Sequence, residues 1–331
     1  MIIHAKNIRG LGALVLSENI ISYLYGKFKL ALVSNELLER LEYDNCEISV
    51  IGSKFTYFAR IYELLVSYDA KGEALLVLGD IPLRVVSKQL LYFQNANLLR
   101  TQKVRDLSTL KLRVNQILFR RNVRFIDHII VQTKHIQKEL ENYLAHNCLV
   151  SPNLKVSCVP MTCANRSKAQ CKISGDKIRL FYPSRMYPHK NHEILFASFA
   201  GLKNKYPNID LLLTVNEDQV LDKRITCLGE IAHSEVKRII DQDNTVLVFP
   251  SKIETLGIPL LEALEMDIPI LAADLPYAHE LCGNAAIYFD PCNVNSLFLA
   301  VAKIQTNQIV RRQKSSFNLY DATAKHILSI I

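Results

Sequence analysis

The chain has 331 residues, of which 49% are hydrophobic, 22% charged and 8% aromatic, and its formal net charge is +8. Ordinary apolar content and charge density exclude a disordered chain, a collagen-like repeat and a small disulfide scaffold, and the length suits two domains with self-sufficient cores. The basic excess favours an anionic partner without naming it. Eight cysteines are scattered with no CxxC and no zinc-type His/Cys spacing, so free thiols in a reducing compartment are expected. The start, MIIHAKNIRGLGALVL, lacks the pattern of a signal peptide. No apolar run approaches the ~18 residues that span a bilayer. A cytoplasmic protein follows as the expectation, soluble or peripheral on the cytoplasmic face of a membrane.

In chain order, Gly10-Leu11-Gly12 precedes a helix-like run. It reads either as a plain turn or as a place where backbone approaches a phosphate. Residues 74–79 and 127–132 are Val/Ile/Leu-rich runs, apolar on both faces, which suit strands of a parallel sheet. Gln94-Asn95 and Gln132-Thr133 each follow an apolar segment. Between them, residues 98–125 hold eight basic side chains and one acid, Asp106, a net +7. Leu107, Leu110, Val114, Ile117, Leu118 and Arg121 fall there at helical spacing. The segment is either an ordinary helix packed by its apolar stripe or a basic amphipathic helix for a membrane surface. Arg113, Arg120, Arg121 and Arg124 are its candidate membrane contacts. No nucleic-acid module is recognisable, so nucleic acid is not an expected partner.

Residues 152–176 are mostly polar, end in Gly-Asp and read as an interdomain linker. The expected organisation is an N-terminal domain over 1–160, a linker over 161–176, a second domain over 177–315 and a final segment over 316–331. Beyond the linker, strand-like runs at 177–182, 209–215, 245–249 and 268–272 alternate with helix-like segments at 192–206, 234–241 and 259–266. Such alternation argues for α/β domains with helices on both sheet faces. Two doubly wound halves facing one another would hold a ligand cleft at the carboxyl ends of their strands.

Three stretches of the second half carry candidate chemistry. Arg185 and Lys190, in SRMYPHKN, lie in a loop entering a helix. They are either a solvated loop edge or a cationic clamp for a diphosphate. Leu228 and Gly229 sit in a turn after a strand-like stretch. Glu254 and Glu262 flank Thr255-Leu256-Gly257-Ile258-Pro259. Gly257 permits close backbone approach and Pro259 suits the first turn of a helix, whose exposed amides favour an anion. The two glutamates are either capping and solvated residues or acceptors for sugar hydroxyls. Asp241-Gln242-Asp243 spells D-x-D, but it precedes a strand and reads as a turn rather than a metal site.

The run Pro250-Ser251, Glu254-Thr255, Gly257, Pro259, Glu262-Ala263, Pro269-Ile270, Asp274-Leu275-Pro276-Tyr277, Glu280, then Gly283 to Pro291 resembles the signature of GT-B-fold glycosyltransferases of family 4. Asp267 departs from it, where the family often has glycine. The resemblance implies a GT-B fold of two Rossmann-like domains, with the last helix crossing back onto the first. It also implies a retaining transferase that uses a nucleotide-sugar and needs no metal or other cofactor. Glu254 would contact the donor sugar and Glu262 the nucleotide ribose, with Arg185 and Lys190 on the diphosphate. Leu228-Gly229 would meet the base, and Thr255, Leu256, Gly257 and Gly12 would lie along the donor. Glu254, Arg185 and Lys190 are the expected catalytic residues. Gln94 and Asn95 resemble positions on the acceptor side, although the histidine many relatives carry there is missing. The expected acceptor is a glycan or a lipid-linked glycan of cell-surface polysaccharide such as O-antigen, with an anionic membrane as partner. The alternatives are a GT-B-fold sugar-nucleotide epimerase or hydrolase, and a non-catalytic carbohydrate- or nucleic-acid-binding scaffold.

Overall fold

Runs of Val, Ile and Leu that are apolar on both faces suit strands covered on both sides, and here they assemble two parallel sheets. The computed structural model describes residues 1–8, 10–41, 48–50, 57–100, 106–159, 168–170, 177–305, 310–312 and 319–331. The chain divides into one unit of Met1–Met161 with Asn318–Ile331 and a second of Thr162–Phe317.

The first unit contains β1 (Ile2–Ala5), α1 (Leu11–Tyr23), β2 (Leu30–Val33), α2 (Asn35–Leu38), β3 (Ile48–Val50), α3 (Tyr57–Leu65), β4 (Leu75–Gly79) and β5 (Gln89–Phe93). After these come α4 (Leu107–Asn122), β6 (His128–Val131), α5 (Lys134–His146) and β7 (Lys155–Cys158). The strands pair in the order β3-β2-β1-β4-β5-β6-β7, so the winding direction reverses between β1 and β4. Ile3, Ala5, Leu75, Leu90, Leu91 and Ile129 are fully buried at its centre.

The second unit runs through β8 (Lys168–Gln170), β9 (Ile178–Tyr182), α6 (His192–Lys205), β10 (Ile209–Leu213), β11 (Thr226–Cys227), α7 (His233–Ile240) and β12 (Thr245–Phe249). It continues with α8 (Ile258–Glu265), β13 (Ile270–Ala273), α9 (Pro276–Cys282), β14 (Ala286–Phe289), α10 (Val294–Gln305) and β15 (Val310–Arg312). Its main sheet has the order β11-β10-β9-β12-β13-β14, with the reversal between β9 and β12. On one face Phe181 packs against Val236, Ile239 and Ile240 of α7. A last helix, α11 (Leu319–Ile330), belongs to the first unit and packs against α1.

Among its described residues, the polar stretch 152–176 contains two short strands. Lys155–Cys158 is the edge strand β7, paired in parallel with β6. Lys168–Gln170 is β8, paired antiparallel with β15. As the edge strand of its sheet, β7 carries polar residues such as Lys155 and Ser157, which made it read as part of the linker. The rest of 160–176 lies outside the described residues. The α11 helix is held on β6 and β7 by polar contacts: the Ser157 hydroxyl lies 2.7 Å from His128 Nε2 and 2.8 Å from His326 Nε2. Lys88 donates to the Ile330 carbonyl.

Candidate functional site

Strands β9 and β12 lie side by side, with Phe181 opposite Leu247. The reversal of strand order between them is where parallel sheets leave a crevice at their carboxyl ends. The chain leaves β9 through Ser184 and Arg185 and makes a 3₁₀ turn at Pro188–Lys190. Asn191 then adopts left-handed backbone, φ 57°, and starts α6. Its side-chain amide donates to the carbonyls of Pro250 (3.2 Å) and Pro291 (2.8 Å), tying the loops after β9, β12 and β14 together. The Tyr182 hydroxyl donates to the Lys190 carbonyl at 2.9 Å, and Lys252 N donates to the His189 carbonyl at 2.7 Å. Tyr277 donates to the Ser251 carbonyl at 2.6 Å.

This frame places the Lys190 ammonium 2.6 Å from Glu254 Oε1 and 6.0 Å from the centre of the Phe249 ring. Burial, and then the Glu254 charge, push the Tyr182 and Tyr277 phenols far above their ordinary range, so both remain neutral donors. Burial holds His192 down at about 4, and its Nε2–H donates to the Ser184 carbonyl at 3.2 Å. Burial and the neighbouring Lys190 also lower His189. On the outer side of the loop, Arg185 pairs with Glu230. Each cation of SRMYPHKN is thus matched by a carboxylate from a facing loop.

Helix α8 begins where the residue types require it. Gly257 has φ +79°, and a Cβ there would lie 3.2 Å from Leu260 Cδ1, so only glycine fits without strain. Pro259 occupies the first turn. Thr255 is partly exposed and Leu256 is buried. One turn along, Glu262 is buried and hydrogen-bonded to His233 at the start of α7. Leu228 N and Gly229 N donate to the carbonyls of Leu213 (2.8 Å) and Val215 (3.0 Å), which extends the β10–β11 pairing into the loop. Gly229 has φ +67°, a turn that carries the chain on to Glu230. Asp267, the departure from the family pattern, has φ 56°. Aspartate tolerates this left-handed backbone, so the turn persists without glycine.

Sequence reasoning missed the partners rather than the motifs. Glu230, His233 and Tyr277 lie 45, 29 and 26 residues from Arg185, Glu262 and Ser251, the groups they bond, and no spacing rule reaches that far. Asn191 had a signal, as an asparagine closing SRMYPHKN at a helix start. The D-x-D stretch lies at the amino end of β12, away from the site. Asp241 ends α7, and Gln242 accepts from Arg179 at 2.7 Å.

In the first unit, Gly12 is exposed in the first turn of α1, beyond β1 and beside the reversal of strand order. Gln94 Nε2 lies 3.4 Å from Ser17 Oγ. Asn95 donates to Asp80 at 3.1 Å and accepts from Asn97 N at 3.2 Å, capping the 3₁₀ turn Ala96–Leu99. Asp80 also binds Arg60. Gln132 donates to the Phe93 carbonyl at 2.8 Å, and Thr133 caps α5. An unforeseen cluster lies close by: Glu63 accepts from Lys6 at 2.7 Å and lies 3.1 Å from His4 Nε2. Although burial opposes ionisation, His4 and Lys6 hold the Glu63 carboxyl down at about 2.

The basic segment forms α4, capped by Asp106, which accepts from Thr109 N at 2.8 Å. Arg113, Arg120, Arg121 and Arg124 are exposed; Lys103 and Arg105 lie outside the described residues. The reading of its apolar stripe as a packing face needs correction. Leu118 is buried, but Leu107, Leu110 and Ile117 are exposed. The inward face instead uses Phe119 with two polar residues, Gln116 and Asn122. Gln116 donates to the Leu98 and Arg100 carbonyls (3.1 and 2.7 Å). Asn122 donates to those of Leu64 and Pro82 (2.8 and 2.9 Å).

No helix among the described residues is long and apolar enough to cross a membrane. Residues 164–318 match the family described as glycosyl transferases group 1. The O-antigen chain mannosyltransferase RfbU of Salmonella typhimurium is 34% identical over 128 residues, 36% of each chain. The O-antigen chain mannosyltransferase B of Escherichia coli is 26% identical over 151 residues, 40% of this chain and 39% of that one. The matches therefore span a little over a third of the length of these relatives. Among solved structures, Anabaena Alr3699/HepE in complex with UDP-glucose superimposes with a TM-score of 0.63 at 14% identity, over 99% of this chain and 94% of that one. The chain has the GT-B fold, and the loops around β9 and β12 lie within residues 164–318, the stretch that matches the glycosyl transferases group 1 model.

Proposed function

We propose that this chain is a retaining glycosyltransferase that moves a sugar from a nucleotide-sugar to a glycan or lipid-linked acceptor in the assembly of cell-surface polysaccharide. The observation that carries the reading is the pairing of Lys190 with Glu254, which joins the loops after β9 and β12 at the strand-order reversal of the second sheet. Cations on the β9 loop suit a departing diphosphate, and carboxylates around the start of α8 suit sugar hydroxyls. The O-antigen mannosyltransferases support mannose as the first sugar to test.

In this reading the bond from the anomeric carbon to the β-phosphate oxygen breaks, and the acceptor oxygen takes its place on the same face. The acceptor's proton passes to the departing diphosphate. Lys190 and Arg185 neutralise the charge that develops on that diphosphate, so no metal is assigned to the step. Glu254 orients the sugar, and Lys190, 2.6 Å away, keeps its carboxylate in position. Glu262, steadied by His233, accepts from the ribose. Leu228, Gly229, Thr255, Leu256 and Gly257 shape the remaining donor surface. Gln94 and Asn95 serve the acceptor side. The exposed Arg113, Arg120, Arg121 and Arg124 hold the enzyme on the anionic cytoplasmic face of a membrane.

Thermal shift against a panel of nucleotide-sugars tests the donor reading. A true donor at 100 times its dissociation constant adds about 2.7 kcal/mol of stability. Acceptor-dependent release of the nucleoside diphosphate then tests transfer. Release without any acceptor would replace transfer by hydrolysis, and no shift with any donor would overturn the reading.

A further inference from the structure

Helices α3 and α4 carry large apolar side chains on their outer sides. On α3, Phe58 is 81% and Tyr62 68% exposed, and Leu65 is exposed beside them. On α4, Leu107 is 66% and Ile117 63% exposed, with Leu110 between them. Their spacing makes one stripe on each helix.

The two stripes belong to one face. The helices run alongside in the same direction, because the Tyr57 hydroxyl donates to the Lys111 carbonyl at 3.2 Å and Asn122 donates to the Leu64 carbonyl at 2.8 Å. At ~100° per residue, Phe58, Tyr62 and Leu65 lie about a quarter turn from the side of α3 that meets α4. Leu107, Leu110 and Ile117 lie about a quarter turn from the side of α4 that meets α3, in the opposite sense. On two parallel helices facing each other, opposite rotations open on the same side.

The surroundings of this face are cationic. Lys111, Arg113, Arg121 and Arg124 are exposed and form no ion pair among the described residues. The two acids of these elements are committed elsewhere, Asp106 to the cap of α4 and Glu63 to Lys6 and His4. A second copy seated on the face would bring these cations against their own kind. A fluid layer of anionic headgroups over hydrocarbon accepts both the aromatic stripe and the cations without a fixed partner geometry.

We propose that the α3–α4 face inserts shallowly into an anionic lipid surface, with Phe58, Tyr62, Leu107 and Ile117 at the boundary of headgroups and acyl chains and the arginines at the phosphates. This rests on the membrane docking proposed above and changes its nature from contact by charge to insertion.

The chain has no tryptophan, so Phe58→Trp supplies a single fluorescent reporter in the full-length protein, and Tyr62→Trp a second should the first fail to fold. Nucleotide-induced thermal shift of each variant verifies that the donor unit is intact. Vesicles of phosphatidylcholine with phosphatidylglycerol should shift the emission to the blue, and lipids brominated near the headgroup should quench it. Part of the shift should survive 1 M salt, where the Debye length is only ~3 Å. Tyr62→Ser with Ile117→Ser should weaken vesicle binding by about tenfold or more. Vesicle binding without any emission change would overturn insertion and leave docking by charge. A shift that follows protein concentration without lipid would assign the face to a second copy. Absence of all vesicle binding, with nucleotide binding intact, would overturn docking and insertion together while sparing the donor reading.

Discussion

The carboxyl ends of β9 and β12 and the outer face of α3 and α4 satisfy their polar groups on opposite terms. In the first region each cation has a carboxylate, Lys190 with Glu254 and Arg185 with Glu230. The backbone around them is fixed by Asn191, Tyr182 and Tyr277. In the second region the polar side chains that order the helix point inward, Gln116 and Asn122 onto carbonyls, while Arg113, Arg121 and Arg124 face outward. A region that must hold particular atoms is organised before its ligand arrives. A surface that meets a fluid layer needs only composition and spacing.

The contrast breaks first at Lys190. Lys190→Ala removes both a cation for the diphosphate and the partner that positions Glu254, and transfer should fall by about 10²–10³. Stopped-assay turnover with an unchanged melting temperature checks this. Turnover within a few-fold of the unmodified protein would remove Lys190 from the chemistry. The organised backbone is challenged next by Gly257→Ala. With φ +79° and a Cβ 3.2 Å from Leu260 Cδ1, the variant should lose roughly 1–3 kcal/mol of stability, read by chemical denaturation. An unchanged midpoint would mean that the turn relaxes freely.

A smaller effect sharpens the comparison within the first unit itself. Burial holds both His128 and His326 below the ordinary histidine value, and for His128 the nearby cations add to it. A histidine whose folded pKa is depressed contributes stability that is complete above about 6.5 and is lost as pH falls below it. Hydrogen exchange, corrected for its intrinsic rate, should therefore show α11 protection dropping a few-fold between about pH 7.5 and 5.5. His326→Gln should reduce that step to the part that His128 contributes. Equal protection at both pH values would separate the histidines from the docking of α11.

Much of the architecture was legible because its cause is local. The strands β9 and β12 are apolar on both faces, and the loops after them announce themselves through SRMYPHKN and through Gly257 and Pro259. That Lys190 meets Glu254 was not legible, because the two motifs come together only through the pairing of β9 with β12. His233 on Glu262 is a contact between two helices and leaves no periodicity. The edge strand β7 was hidden by its polar residues. In α4, polar Gln116 and Asn122 on the buried side made the exposed stripe of Leu107, Leu110 and Ile117 resemble a packing face. Hydrophobic spacing reports a core only where the core side is itself apolar.

The central claim is that the carboxylates flanking the start of α8 divide the donor between them. Titration calorimetry with nucleoside diphosphates tests it most directly, on the unmodified protein and on Glu262→Ala and Glu254→Ala. The account predicts that one nucleoside diphosphate binds the unmodified protein, that Glu262→Ala weakens it by about tenfold through loss of a charged hydrogen bond to the ribose, and that Glu254→Ala leaves it unchanged. Equal losses in both variants, or no binding of any nucleoside diphosphate to the unmodified protein, would contradict it.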